Sequence, residues 1–171
     1  PDAAAVAIIG PRSQFLAEEI TKLKDYADQG GRFLIALDPG EKHNLNGLLE
    51  KLGVEFKNNY LVDSTSSLGD VVVMGSEYDT KSEIAKGFKD LKTVFPVTSE
   101  VVPVPEVSGK KLSSIVRTSP ASYAITELKP QKVAAKARSF SLAVSVEGSV
   151  KDSGKQLRAV VFGDSDFLSN R

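Results

Sequence analysis

The chain has 171 residues, 22 Lys and Arg against 22 Asp and Glu, and a formal net charge of zero. That balance excludes a uniformly basic surface and weakens any nucleic-acid or anionic-membrane role. Hydrophobic residues are 41% and charged residues 26% of the chain, which is a globular rather than a disordered balance, and no apolar run reaches the ~18 residues of a bilayer span.

Ala5-Val6-Ala7-Ile8-Ile9 is a short apolar run ended by Gly10-Pro11. Such a run suits a strand buried on both faces, as in a parallel sheet. Ser13 is placed to cap a helix in which Leu16, Ile20, Leu23 and Ala27 recur at helical spacing. Gly30-Gly31 stops it. Phe33 to Leu37 is the second predicted buried strand, closed by Asp38-Pro39-Gly40. A second helix is expected from Asn44 to Leu52, with Leu45, Leu48, Leu49 and Leu52 as its stripe and Gly53 as its C-cap.

The middle is less regular. Tyr60 to Val62 is a weak strand, Asp63 to Leu68 a polar loop and Val71 to Met74 a strand, and Ser82 to Phe88 suits a short helix. From Thr93 to Val107, Pro96, Pro103 and Pro105 lie among valines, which confines the stretch to edge strands or extended loop. It is the best place for a subdomain junction, near residues 93–111, within what otherwise reads as one domain over residues 1–171. Leu112 to Arg117 is a further strand. Phe140, Leu142, Val144 and Val146 alternate with Ser139, Ser141, Ala143 and Ser145, the period of a strand with one buried face. A polar connection leads to a strand from Leu157 to Phe162, and the two should pair antiparallel. Asp164 or Ser165 can then cap a helix running towards Arg171. These elements predict an α/β fold, with a mainly parallel central sheet, flanking helices and a β-rich C-terminal part.

The chain has no cysteine and one histidine, His43. Thiol catalysis, thiolate metal sites and mechanisms needing two imidazoles are excluded. The first residue is Pro1 and no signal peptide is visible, so the chain is expected to be a segment of a longer protein. Leu34-Ile35-Ala36-Leu37-Asp38 has the form of a Walker B strand, but no G-x-x-x-x-G-K-[ST] loop accompanies it. An Asp-Pro turn after a buried strand explains it more simply. Val160 to Asp166 resembles the strand and D-x-D start of haloacid-dehalogenase-type phosphatases, in which the first acid attacks phosphorus and Mg²⁺ neutralises the phosphate. The motif sits at the wrong end of the chain for that family, so a Mg²⁺-dependent hydrolase built on Asp164 and Asp166 is the alternative reading. A helix start, its carboxylates favoured by the N-terminal dipole, is the plainer one. His43, in a turn without a G-x-S-x-G elbow, reads as a solvated loop histidine. Lys110-Lys111 and the stretch from Lys129 to Arg138 give local positive charge; the latter has no interleaved aromatics and reads as a solvated turn or loop.

In open α/β sheets ligands bind outside the carboxyl ends of the strands. If the first, second and last strands are parallel neighbours, the turns Gly10-Pro11, Asp38-Pro39 and Asp164-Ser165-Asp166 converge on one edge. That edge would offer carboxylates and backbone N–H groups, with Ser119 and Tyr123 as further hydrogen-bonding partners. No catalytic residue, metal ligand or cofactor is expected.

Several segments together resemble one family. They are Ile9-Gly10-Pro11, Gly30 to Pro39, Leu48 to Val54, Val116-Arg117-Thr118-Ser119-Pro120-Ala121-Ser122-Tyr123, Ser141 to Val144 and Val160 to Asn170. In this order they are similar to the soluble domain of GldG-type auxiliary components of ABC transporters, the gliding-motility-associated family, over residues 6–171. The resemblance implies a glutamine-amidotransferase-like or flavodoxin-like α/β domain related to intraflagellar-transport domains and without that superfamily's Cys-His pair. It implies a periplasmic location, anchoring in the bacterial inner membrane by flanking helices outside this chain, and partnership with a separately encoded permease and ATPase. The function expected is non-enzymatic binding of a partner or of a polar ligand such as a saccharide. A spacer or oligomerisation role, with an apolar patch near Val94 to Val107, is a further alternative.

Overall fold

In the computed structural model, which describes residues 3–88, 91–104, 109–128, 136–150 and 154–168, the first third of the chain builds two parallel strands and two helices. Strand β1 (Val6–Ile9) pairs in parallel with β2 (Arg32–Ala36), Ile8 opposite Ile35. Helix α1 (Ala17–Asp28) connects them. It starts after Leu16 rather than at Ser13, because the Glu19 carboxylate accepts the Leu16 N–H at 2.7 Å and closes the first turn from within. Helix α2 (Asn46–Leu52) ends at Gly53 with φ 82°, the left-handed cap that glycine adopts without a Cβ clash. Asn44, expected in the helix, instead clamps the loop before α1: its Oδ1 accepts from Phe15 N and its Nδ2 donates to Phe15 O.

After α2 the chain turns to strands. These are β3 (Val54–Phe56), β4 (Tyr60–Val62), β5 (Val72–Tyr78), β6 (Thr93–Pro96), β7 (Val101–Pro103), β8 (Lys110–Thr118), β9 (Tyr123–Ile125), β10 (Ser141–Ser149) and β11 (Gln156–Phe162). Short 3-10 turns cover Lys86–Phe88 and Asp166–Leu168. The main sheet has seven strands in the order β1-β2-β11-β10-β8-β5-β6, and β3-β7 and β4-β9 form two small ribbons.

This architecture corrects the expected α/β sandwich. Only β1, β2 and β11 pair in parallel; β11, β10, β8, β5 and β6 pair antiparallel in succession. The sheet is mixed and curled, and the two α-helices among the described residues are short, so the protein is mostly β rather than flavodoxin-like or helix-flanked. The physical reason lies after Gly53. Among the described residues no α-helix forms after Gly53, so nothing there makes the helical crossovers that parallel strands require. Strands joined without such crossovers pair antiparallel. The helix expected over Ser82 to Phe88 is accordingly a turn and one 3-10 segment.

Two cores result. Helices α1 and α2 cover one face of β1, β2, β11 and β10 through Leu48, Leu52, Ile35, Val144 and Val161. The curled half of the sheet encloses the second, where Leu61, Val73, Phe95, Ile115, Phe140 and Leu142 meet. Strand β10 serves both. A strict two-residue period places Leu142 and Val144 on one face, yet they belong to different cores. Register shifts between Ser141, Ala143 and Val144 in the pairing with β8 change the phase, as a bulge does. Residues Ser141 to Val144 are therefore all buried.

The segment from Val97 to Glu100 crosses the end of β11 at Gly163. A Cβ at Gly163 would lie 1.9 Å from the backbone oxygen of Ser99, a contact that no side-chain rotation can relieve. Gly163→Ala is expected to lower stability by on the order of 3 kcal/mol, because two backbones must part. A urea-unfolding midpoint equal to that of the parent chain would contradict this account.

Candidate functional site

The parallel strands β1, β2 and β11 end side by side, and their turns meet as the sequence pattern requires. Ser165 reaches Asp38 twice: its backbone N–H donates to Oδ1 and its hydroxyl to Oδ2, both at 2.7 Å. Asp38 thus receives one donor on each oxygen and joins the turns after β2 and β11. Gly10 closes the third side. Its φ of 52° and the 2.7 Å between a notional Cβ and Ser165 Oγ leave no room for a side chain. Pro39 is buried and Pro11 half-buried beside them.

Asp164 lies beneath this latch, fully buried. Its Oδ1 accepts the Asp166 N–H at 2.7 Å, and its Oδ2 has no hydrogen-bond partner among the described residues. Burial drives its pKa from 3.8 to about 7, and the negative charges of Asp38 and Asp166 add to the rise against the backbone N–H groups of Asp166 and Phe167. The carboxyl is therefore largely protonated below neutral pH. A buried, half-protonated acid is poorly placed to attack phosphorus, which a D-x-D phosphatase requires of this position. Asp166 is exposed at the start of the 3-10 turn. No group of three or more acids or histidines among the described residues is arranged to hold a metal ion.

Ser119 and Tyr123 make no hydrogen bond to Asp38, Asp164 or Ser165 among the described residues. Ser119 Oγ donates to Asp63 Oδ2 at 2.7 Å, and Ser122 Oγ donates to the same oxygen at 3.2 Å. Thr65 supplies its N–H and hydroxyl to Asp63 Oδ1. Burial, the largest single influence, pushes the Asp63 pKa up, but the hydrogen bonds together outweigh it and hold the carboxyl below its usual range. The R-T-S-P-x-S segment is thus tied to the loop after β4. Tyr123 stands on β9 opposite Val62.

Other polar residues also differ from the reading of the sequence. His43 is buried rather than solvated; its ring packs edge-on to Phe56, its Nδ1 accepts Leu45 N–H, and desolvation lowers its pKa. Arg138 grips buried Glu100 with two hydrogen bonds of 2.9 and 2.8 Å and lies 3.8 Å over the Phe140 ring. Residues 129–135 of the basic stretch lie outside the described residues. Sequence reasoning missed Asp63, Asn59, Thr98 and Glu100. An acid closing the short apolar run Tyr60-Leu61-Val62 was the one local signal for Asp63. Nothing local marks Glu100 as the partner of a residue 38 positions away.

A mixed sheet whose three parallel strands end in one hydrogen-bonded polar edge defines a β-rich domain of a known fold. The solved mmIFT52 N-terminal domain has it: 98% of this chain and 68% of that chain superpose with a TM-score of 0.70 at 19% identity. The chain belongs to the ABC-transport auxiliary family, an ABC-type uncharacterized transport system, whose sequence model matches residues 1–171. No curated protein matches it significantly.

Asp63 and Asp164 act on stability in opposite directions. Asp63, with its depressed pKa, stabilises the fold above the ordinary carboxylate range, and that contribution is lost as pH falls through its folded value. Asp164 costs stability as pH rises from its unfolded value, near 3.8, to its folded value of about 7. Between about pH 5 and about pH 8 the parent chain should lose on the order of 2–3 kcal/mol from this group alone. Asp164→Asn should flatten that slope in urea-unfolding curves. An unchanged slope would show that Asp164 titrates normally.

Proposed function

We propose that this chain is a non-catalytic binding domain on the extracytoplasmic face of a GldG-type, gliding-motility-associated ABC transport system. In this reading it is a single domain, held at the bacterial inner membrane by segments outside this chain, and it engages the permease and ATPase subunits or a polar ligand such as a saccharide. No helix among the described residues is long and apolar enough to cross a membrane. Membership of the auxiliary family and the ordered motif resemblance support the system.

The observation that carries the non-catalytic part is the use made of Asp38. Both oxygens of this Walker-B-like acid are engaged by Ser165, so the residue serves to brace two turns. With Asp164 buried beneath it, the edge presents backbone, Pro11 and the exposed Asp166. These are groups suited to recognition by hydrogen bonding and shape.

The test uses the half-buried Pro11 and the exposed Asp166. In the parent complex, Pro11→Asp combined with Asp166→Lys should weaken capture of the permease or ATPase subunits, or of the ligand, by roughly ten-fold, the equivalent of about 1.4 kcal/mol. Circular dichroism should show an intact domain. Unaltered capture of every component by the double variant would remove the strand-end edge from the interaction.

A further inference from the structure

The opposite ends of the same parallel strands carry a second polar concavity, remote in the sheet from the Asp38 latch. Arg32 opens β2, and Arg158 of β11 lies directly opposite it in register. Paired residues of neighbouring parallel strands project from one face about 5 Å apart at the backbone. Two exposed guanidiniums therefore rise side by side. Like charges so placed destabilise a sheet. On the other side of Arg158, Glu147 of β10 is its register partner. Neither guanidinium makes an ion pair among the described residues, however, and Arg158 Nη2 instead donates to Gln156 Oε1 at 2.9 Å. In a chain of zero net charge, this pair is a local excess rather than the result of a basic composition.

The arginines border a cavity of about 430 Å³ whose floor is rigidly built. Tyr26 forms part of it. Its hydroxyl donates to Ala3 O at 3.1 Å and accepts Arg32 N–H at 3.2 Å, and its ring packs edge-on against Phe33. Gly30 and Gly31 form the adjoining wall. A Cβ on Gly31 would lie 2.4 Å from the Tyr26 ring, and one on Gly30, at φ 81°, would lie 2.8 Å from Lys155 Cβ. Gly31 O accepts Arg158 N–H at 3.1 Å. The two glycines thus let the turn after α1 sit flush against the start of β11, which brings Lys155 to the same rim as both arginines.

We propose that this concavity binds a phosphate-bearing ligand, with Arg32 and Arg158 gripping the oxyanion as a pair and Lys155 adding a third cation. Planar guanidinium forks match phosphate oxygens in pairs, and charge-assisted bonds of this kind are the strong ones. The anion also relieves the repulsion between the two arginines. The site is independent of the strand-end edge, and either can fail without the other.

The experiment is a thermal-unfolding and calorimetric titration of the 171-residue chain with pyrophosphate at constant ionic strength, sodium chloride serving as the control. Pyrophosphate should raise the midpoint beyond the chloride control. Arg32→Gln and Arg158→Gln should each raise the midpoint in low salt without pyrophosphate, and each should weaken pyrophosphate binding by roughly ten-fold or more. A midpoint gain matched by chloride, or glutamine variants that bind pyrophosphate as tightly as the parent, would overturn the proposal. Co-sedimentation with phosphatidylcholine vesicles containing phosphatidic acid separates the sources. Sedimentation lost in Arg32→Gln supports the site with a lipid headgroup as its ligand. Pyrophosphate binding without sedimentation supports it with a free phosphate ester.

Discussion

The backbone of Gly163 is where the two halves of the molecule are fastened together. Its carbonyl accepts Ser99 N–H at 2.7 Å and Thr98 Oγ1 at 3.1 Å, while its own N–H donates to Leu142 O at 3.1 Å. The first two bonds bring in the segment that follows β6, and the third brings in β10. Any side chain at this position would separate backbones that the fold requires in contact. Val97, immediately before the crossing, is held at φ 56°, a conformation uncommon for a β-branched residue. Its N–H donates to Val71 O, so the strain is compensated by pairing at the start of β5. Thr98, Ser99 and Glu100 are buried polar residues because they complete this junction.

From that junction the polar interior can be followed outward. Asn59 accepts from Ser99 Oγ and from Glu100 N–H, and the Glu100 carboxylate takes the paired bonds of Arg138. Here a nearly buried acid is matched by a cation whose other face lies on Phe140. Asp63 is matched differently, by hydroxyls and one backbone N–H. Asp164 is the exception, with one oxygen satisfied and the other unpartnered among the described residues, and its carboxyl responds by retaining its proton. Three buried carboxyl groups among the described residues thus reach three different solutions to the same desolvation cost.

Much of the first third was legible from sequence, because its signals are local. The apolar run around Ile8, the stripe from Ile20 to Ala27, the leucines of α2 and the glycine at position 53 each act over a few residues, and the elements they predict are present, although β1 is an edge strand with Ala7 and Ile9 exposed rather than buried on both faces. The convergence of Gly10, Asp38 and Ser165 was also legible, since three turns follow three apolar strands. The helix start at Ser13 was not, because Glu19 satisfies the Leu16 N–H three residues further on. The single buried face read into β10 failed because a register shift changes the phase of alternation partway along the strand. What no local pattern marks is the bond that ties Ser119 to Asp63, a residue of the loop after β4.

By itself the sequence determined the strands and helices of the first third and which polar turns close the apolar strands. It also determined, through its lack of cysteine and its single histidine, which chemistries are closed to it. Tertiary structure alone decided the strand order, the antiparallel run from β10 to β6 and the burial of His43 and Asp164, whereas the antiparallel pairing of β10 with β11 was legible in the sequence. It also decided the pairing of Glu100 with Arg138 and of Arg32 with Arg158. The division has a physical cause. Periodicity and turn chemistry are properties of neighbouring residues. Strand order, burial and the pairing of distant charges depend on which segments meet when the chain closes its long loops, and no local pattern encodes that meeting.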